Sequence, residues 1–317
     1  MAATRRQSED FVSTRFPYPD TLLRHLQRIT KQMNSLQEQA ANGQRITDIS
    51  DDSAAGNRIL DMQEEKGKLT QYSRNGDRAK NINNTTISQL QNFLRISDRV
   101  GEISTLANDL TGKEGLHAYA EEVDELIEHA LQSANAKFNG EYIFGGTASG
   151  TEPFAVNLDI DGKIQDPDGL GAGSAITYQG AAKGPEFHLS ESGKVSPFTN
   201  GTTNEQFGDF INRMVKLRDA LESGDQNAVT STIREDLEAS EDDLIFSLSR
   251  QGSVQLRIEF DQNLSQQRFM DLEENISTEA DADLSQTIVR LTQIQNSYQA
   301  SLQSAGKVLN SSLLNYI

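Results

Sequence analysis

The sequence predicts a mainly α-helical protein with an inserted β-rich domain, in which the N- and C-terminal segments form long helical or coiled-coil arms. Two observations carry this prediction. All six prolines lie outside 20–152 and 198–317, which leaves both segments without the residue that most strongly breaks helices. The stretch between the arms, 138–202, instead holds 12 of the 23 glycines. A glycine-rich middle flanked by proline-free arms is typical of a helical body that carries an insertion.

Three helices are predicted in the first arm. The first carries a heptad seam, since its apolar residues are spaced alternately four and three apart. A second, longer helix is predicted from Ser53 to about Leu110, and a third follows the interruption at Gly112 and Gly115. The seam of the first helix consists of Leu22, Leu26, Ile29, Met33, Leu36 and Ala40.

The middle segment reads as short strands joined by turns. Apolar residues alternate from Phe154 to Ile160, and Asp161-Gly162 follows as a hairpin turn signal. Asn157, Asp159, Asp161, Gly162 and Asp168 also match calcium-loop positions, but the flanking pattern is that of strands, which favours a simple hairpin. The predicted segments are 1–50 (assembly helix and loop), 51–140 (first half of a helical rod), 141–203 (β-rich insertion), 204–275 (second half of the rod) and 276–317 (C-terminal assembly helix).

The last helix has an unusual charge pattern. From Leu284 to the end of the chain there is no Asp or Glu, and the only charges are Arg290 and Lys307, although the whole chain carries −18. Its polar positions are mostly Gln, Asn and Ser, which can be buried with hydrogen bonds at little cost in charge desolvation. An intramolecular coiled coil alone does not account for uncharged outward faces. We therefore predict that this helix is surrounded by copies of itself.

Composition excludes several classes of function. A net charge of −18 and a pI near 4.6 argue against a nucleic-acid partner, and the absence of cysteine excludes disulfides, thiolate metal sites and cysteine nucleophiles. No stretch is apolar enough for membrane insertion or for a cleavable signal peptide, so export requires another route. The four histidines show no metal-ligand spacing. We predict no enzyme activity and no catalytic, cofactor-binding or metal site.

Three motifs carry a resemblance to a known family. The loop 42–56, with Gly43, Arg45, Ile46, Asp51 and Asp52, resembles the segment after the first helix of flagellins and hook–filament junction proteins, with Ser53 where proline is usual. The segment 142–147, followed by Pro153-Phe154 and Tyr178-Gln179-Gly180, is similar to the insertion entry of the hook-associated protein 3 family. The ending 312–317 is similar to the C-terminus of the same family. The chain is therefore identified as a member of the flagellin superfamily, most similar to that family.

The resemblance implies a structural subunit of the bacterial flagellum, needed for motility, that joins hook to filament. It implies secretion by flagellar type III export and an extracellular location at the hook–filament junction. Expected partners are like subunits in a ring, a neighbouring hook-associated protein, flagellin, an export chaperone and the export apparatus. The expected assembly interface comprises Leu22, Leu26, Ile29, Met33, Leu36, Leu284, Ile288, Leu291, Tyr298, Leu302, Leu309 and Leu313.

Two alternatives stay open at this point. The chain can be the major flagellin of the filament, which shares helical ends with the junction proteins. It can also be a soluble coiled-coil scaffold with no flagellar role. The first alternative predicts continuous filament growth, and the second predicts terminal helices that are stable in solution.

Overall fold

The computed structural model describes residues 18–48, 50–107, 112–158, 162–165 and 175–314, without the side chains of 18–20 and 308–314. The chain divides into two compact units. One unit contains the chain up to Glu65 and from Met270 onward, and the other contains Lys66–Phe269. The helices are α1 (Tyr18–Asn42), α2 (Ser53–Leu106), α3 (Lys113–Ala134), α4 (Gly201–Ser223), α5 (Gln226–Ala228), α6 (Arg234–Ala280) and α7 (Leu284–Leu314), with a π-helical turn, Val229–Ile233, before α6.

The predicted helical arms are confirmed, and their ends follow from local chemistry. Helix α4 is capped at its start by Asn200, whose side-chain oxygen accepts a hydrogen bond from the Thr203 amide at 2.8 Å. It ends at Gly224, which has the left-handed φ of 75° that favours glycine. Among the described residues, no helix is long and apolar enough to cross a membrane.

In the described parts of the middle segment, six strands form three separate antiparallel pairs. They pair β1 (Lys137–Phe138) with β2 (Glu141–Tyr142), β3 (Phe154–Val156) with β4 (Ile176–Tyr178), and β5 (Phe187–His188) with β6 (Lys194–Val195). The turn predicted at Gly162 is present, since Leu158 and Ile164 form an antiparallel bridge and Gly162 has a φ of 83°. The strands are short, so side-chain packing carries most of this region's stability.

The core of the larger unit is continuous between helices and hairpins. Phe93 of α2 stacks on Phe207 of α4 with ring centroids 5.4 Å apart, and Phe144 meets Phe207 edge to face at the same distance. Phe154 and Ile176 of the β3–β4 hairpin are buried in the same cluster. The β3–β4 hairpin therefore shares one core with α2, α3 and α4, whereas Leu189 and Val195 of the β5–β6 hairpin pack in a second cluster with Ala79 and Ile258.

Candidate assembly interface

Helices α1 and α7 pair in an antiparallel coiled coil. At the start of α7 the Ala282 amide donates to the Gly43 carbonyl at 2.8 Å, which brings the end of α1 to the beginning of α7. The inward face of α1 is the predicted seam: Ile29 is buried, and the rest are half-buried. Helix α7 contributes a heptad series made of Thr287, Leu291, Ile294, Tyr298, Ser301 and Ala305, all buried or half-buried.

A second edge of α7 remains exposed. Leu284, Ile288 and Leu302 were predicted as interface residues together with Leu291 and Tyr298, but the structure separates the two groups. Leu291 and Tyr298 face α1, whereas Leu284, Ile288 and Leu302 are exposed on the same helix. The side chains of Leu309 and Leu313 lie outside the described residues. The subunit thus covers one apolar edge of α7 and leaves the other open.

The groove beside this pair is cationic. Arg28 and Lys31 of α1 line it together with Arg290 of α7, whereas the chain as a whole is acidic. Between 284 and 307 the other exposed side chains are neutral except for Lys307. Covering this surface with another subunit requires the desolvation of very few charges. The remaining lining residues are Gln32, Ser35, Leu36, Gln293 and Ile294.

The loop between α1 and α2 is clamped to the turn between α6 and α7. The Arg45 guanidinium donates to the Glu279 carbonyl at 2.8 Å, and the Arg45 amide donates to the Ala280 carbonyl at 2.6 Å. Arg45 also forms an ion pair with Asp52 at 3.5 Å. Arg58 donates two hydrogen bonds to the Glu279 carboxylate, at 3.2 and 3.0 Å. These contacts fix the base of the α1–α7 pair.

The other motif residues shape the same loop. Asp51 accepts hydrogen bonds from the Thr47 hydroxyl at 3.2 Å and the Asp48 amide at 3.1 Å. The Asp52 carboxylate accepts from the Ala55 amide at 3.1 Å and so caps α2, and this bond, together with Arg45, lowers the pKa of Asp52. Gly43 follows the last residue of α1 and has a φ of 72°, the left-handed conformation that commonly ends a helix and favours glycine. Ile46 is half-buried beneath the loop.

In the larger unit, two motifs that are distant in sequence meet around one polar network. The Tyr178 hydroxyl donates to either the Phe144 carbonyl at 3.0 Å or the Ala181 carbonyl at 2.9 Å, and it accepts from the Asn204 amide group at 3.0 Å. Asn204 is fully buried and also donates to the Phe144 carbonyl at 2.9 Å. Burial raises the pKa of the Tyr178 hydroxyl. The network joins the first hairpins to α4.

Glycine is required where these motifs touch. A Cβ atom at Gly180 would lie 2.4 Å from the Tyr178 hydroxyl oxygen, and one at Gly146 would lie 2.6 Å from the Ala181 carbonyl oxygen. Gly146 also has a φ of 62°. The motif residues around Tyr178 therefore stabilise the fold of the larger unit and do not form an exposed surface for assembly.

Removing the Tyr178 hydroxyl should destabilise the larger unit. We expect Tyr178→Phe to lower the free energy of unfolding by about 1–2 kcal/mol, because buried partners of the hydroxyl lose a hydrogen bond. Tyr142→Phe is the matched control, since the Tyr142 hydroxyl forms no hydrogen bond within the described ranges. Urea unfolding followed by circular dichroism measures both variants. Equal stability of the two variants would contradict the role of the network.

A buried ion pair lies beside Ile164. Arg218 of α4, nearly inaccessible to solvent, lies 2.7 Å from the Asp124 carboxylate and 2.8 Å from that of Asp219. It also donates to the Ile164 carbonyl at 2.7 Å.

In the part of the chain that the structure describes, no group of three or more His, Asp or Glu side chains is placed to hold a metal ion. The candidate calcium loop lies partly outside that part.

Sequence reasoning missed several residues of the interface. Thr287, Ile294 and Ser301 face α1. A heptad pattern that allowed Thr and Ser at the seam positions, as well as apolar residues, would have predicted them. Arg58 and Glu279 complete the clamp, but each is a single charge on a long polar helix, and no local pattern marks either one.

Comparisons with known proteins agree with this architecture. Residues 13–149 match the model of the bacterial flagellin N-terminal helical region. No curated protein sequence matches the chain significantly. FlgL of Bacillus cereus is 24% identical, with a TM-score of 0.57, covering 68% of this chain and 99% of that one. A putative flagellar hook-associated protein from Vibrio parahaemolyticus is 14% identical, with a TM-score of 0.62, covering 73% of this chain and 100% of that one.

A third neighbour is flagellar hook-associated protein 3 from Legionella pneumophila, 12% identical with a TM-score of 0.56, covering 69% of this chain and 98% of that one. Residues 13–149 match the flagellin N-terminal helical region, and the predicted resemblance to the flagellin superfamily is confirmed by this match. The chain has the fold of the hook-associated proteins named here.

Proposed function

We propose that this protein is a structural subunit of the bacterial flagellum that joins hook to filament and polymerises through its terminal helices. The observation that carries the proposal is the open edge of α7. Ile288 and Leu302 are exposed on a helix whose other apolar edge is already covered by α1. Apolar residues at heptad spacing with few charges around them are what a neighbouring helix covers in a polymer.

The clamp at the base of the terminal pair supports the same role. Arg45 and Arg58 both bind Glu279, so the loop after α1 and the turn before α7 are held together. These contacts fix the end of α1 and the start of α7 relative to each other. A ring of subunits needs that position to be the same in every copy, because each interface repeats by symmetry.

The partners follow from the role. Like subunits are the first partner, and a neighbouring hook-associated protein and flagellin are expected above and below them. Delivery by an export chaperone and the flagellar export apparatus would place the protein outside the cell without a cleavable signal peptide. The role is structural and involves no catalysis, cofactor or metal.

Deletion of the gene tests the proposal. We expect cells that lose motility, keep their hooks and release flagellin into the medium, because the filament has no layer on which to start. Loss of filaments without released flagellin would favour the major flagellin, as would continuous filament growth of the purified protein. Normal motility would reject a flagellar role and favour the soluble scaffold.

A further inference from the structure

Four Asn-Gly steps occur in the chain, and this pair of residues is prone to a chemical change in water. The main-chain nitrogen of the glycine attacks the side-chain amide of the asparagine before it, because glycine has no Cβ atom to hinder the approach. The reaction requires an amide side chain that is free to move and a main-chain N–H that is not held in a hydrogen bond. The four steps are Asn42-Gly43, Asn75-Gly76, Asn139-Gly140 and Asn200-Gly201.

In three of these steps the fold holds the glycine amide. The Gly43 amide donates to the Gln39 carbonyl at 2.9 Å, and the Gly201 amide donates to the Ala182 carbonyl at 2.9 Å. Gly76 is buried inside α2, where each amide donates to the carbonyl four residues before it. In each case the attacking nitrogen becomes available only when the local structure opens.

Two of the asparagine side chains are held as well. The Asn200 side-chain oxygen accepts from the Thr203 amide at 2.8 Å and caps α4. The Asn75 side-chain nitrogen donates to the His188 carbonyl at 2.9 Å. The reaction expels this nitrogen and moves the amide carbon, so both hydrogen bonds would be lost. Their loss adds to the free energy that the reaction needs at these two steps.

The Asn139-Gly140 step has neither restraint. Both residues are exposed, and within the described ranges neither the Asn139 side chain nor the Gly140 amide forms a hydrogen bond. Since β1 and β2 pair Phe138 with Glu141, these two residues are the whole loop of the hairpin. Their φ values of 51° and 87° are those of a two-residue type I′ turn, in which Asn-Gly is favoured.

We propose that Asn139 is a deamidation site, and that the fold directs this reaction to it in preference to the other three steps. The Gly140 nitrogen bonds to the Asn139 side-chain amide carbon, and the proton of that nitrogen leaves with the side-chain nitrogen as ammonia. One water molecule then opens the cyclic imide at either carbonyl, adding its hydroxyl to the carbon and its hydrogen to the nitrogen. One opening gives aspartate. The other gives isoaspartate, in which the main chain runs through the former side chain.

The two products have different effects on the hairpin. Aspartate leaves the main chain unchanged, and Asp-Gly is also favoured in a type I′ turn. Isoaspartate lengthens the main chain by one carbon, so the loop no longer matches the pairing of Phe138 with Glu141. Phe138 packs half-buried against the main core, and beyond the strand the Ile143 amide donates to the Ala136 carbonyl at 3.1 Å. Formation of isoaspartate therefore loosens the first hairpin. The site goes beyond the proposed function, because it concerns the ageing of the subunit.

Ageing of the purified full chain in mildly alkaline buffer tests this inference, because base removes the proton from the attacking nitrogen. Mass spectrometry of proteolytic peptides measures the deamidated fraction at each of the four steps over time. We expect Asn139 to deamidate at least about tenfold faster than the other three asparagines, since each of those steps must first lose a hydrogen bond. An equal or lower rate at Asn139 would overturn the proposed site.

Two controls separate the effect of the fold from that of the local sequence. In guanidinium chloride all four steps lose their hydrogen bonds and should deamidate at similar rates, so a preference for Asn139 that persists there would overturn the role of the fold. Asn139→Gln should abolish the fast reaction, because glutamine closes a larger ring slowly, whereas Asn42→Gln should leave it unchanged. Fast ammonia release that survives Asn139→Gln would also contradict the proposal. Neither measurement involves the hook, so a failure here is distinct from a failure of the flagellar role.

Discussion

Replacing Leu302 with Asp should abolish filament attachment while leaving the subunit folded. Leu302 is 45% exposed on the open edge of α7, so the monomer tolerates the charge. In an assembled ring the same position would be covered, and an unpaired carboxylate there costs on the order of a few kcal/mol at every interface. Because the penalty repeats around the ring, we expect no stable layer to form. Swimming in soft agar and electron microscopy of hooks in the deletion strain measure the effect.

The control for this variant keeps the apolar character of the position. Leu302→Met changes shape but adds no charge, and it should support motility because volume-conserving apolar exchanges cost little. Thermal unfolding of Leu302→Asp should match the wild-type chain. Wild-type swimming by Leu302→Asp would show that this edge of α7 is not covered in the assembly.

The predicted seam of α1 is the face that packs in the terminal pair, whereas the residues predicted on α7 divide between two edges of that helix. On α1 a single apolar row exists, so Leu22, Ile29 and Leu36 had to face the partner helix. On α7 apolar residues occupy two adjacent edges, and α1 covers the edge that also holds Thr287 and Ser301. Apolar spacing identifies which residues avoid water, but it does not say which neighbour covers each edge.

The clamp shows a second limit. Gly43, Arg45 and Asp52 were predicted through the resemblance of their loop. In the structure Arg45 binds both Asp52 and Glu279, and Glu279 also binds Arg58. A charged residue on an exposed helix face has many possible partners. Only the three-dimensional path of α2 and α6 brings Arg58 and Glu279 together across 221 residues.

The middle segment shows why the location of a core is harder to predict than its elements. The alternation around Phe154 and the signal at Gly162 predicted a turn there, and the structure contains the bridge between Leu158 and Ile164, whereas the pairing of β3 with β4 was not predicted. The alternation did not reveal that Phe154 packs into the same cluster as Phe93 and Phe207. A period of two residues identifies one buried face of a strand, whereas the element that covers it depends on long-range packing.

Hydrogen exchange on the unassembled chain should show a large difference between the terminal helices and the larger unit. In the described α1–α7 pair the buried residues are Ile29, Thr287 and Ala305, and the rest of the seam is half-buried. Helices α3 and α4 instead pack around Phe207, Phe210 and Ile127, all nearly inaccessible to solvent. Local opening costs little free energy where few apolar contacts are lost, so amides of 22–40 and 284–307 should exchange orders of magnitude faster than those of α3 and α4. Mass spectrometry of peptic fragments measures both regions in one sample, and polymerisation on hook ends should slow exchange in the terminal helices alone. Protection of 284–307 in the monomer equal to that of α4 would mean that the terminal pair is already stable, and that it does not depend on neighbours to order it.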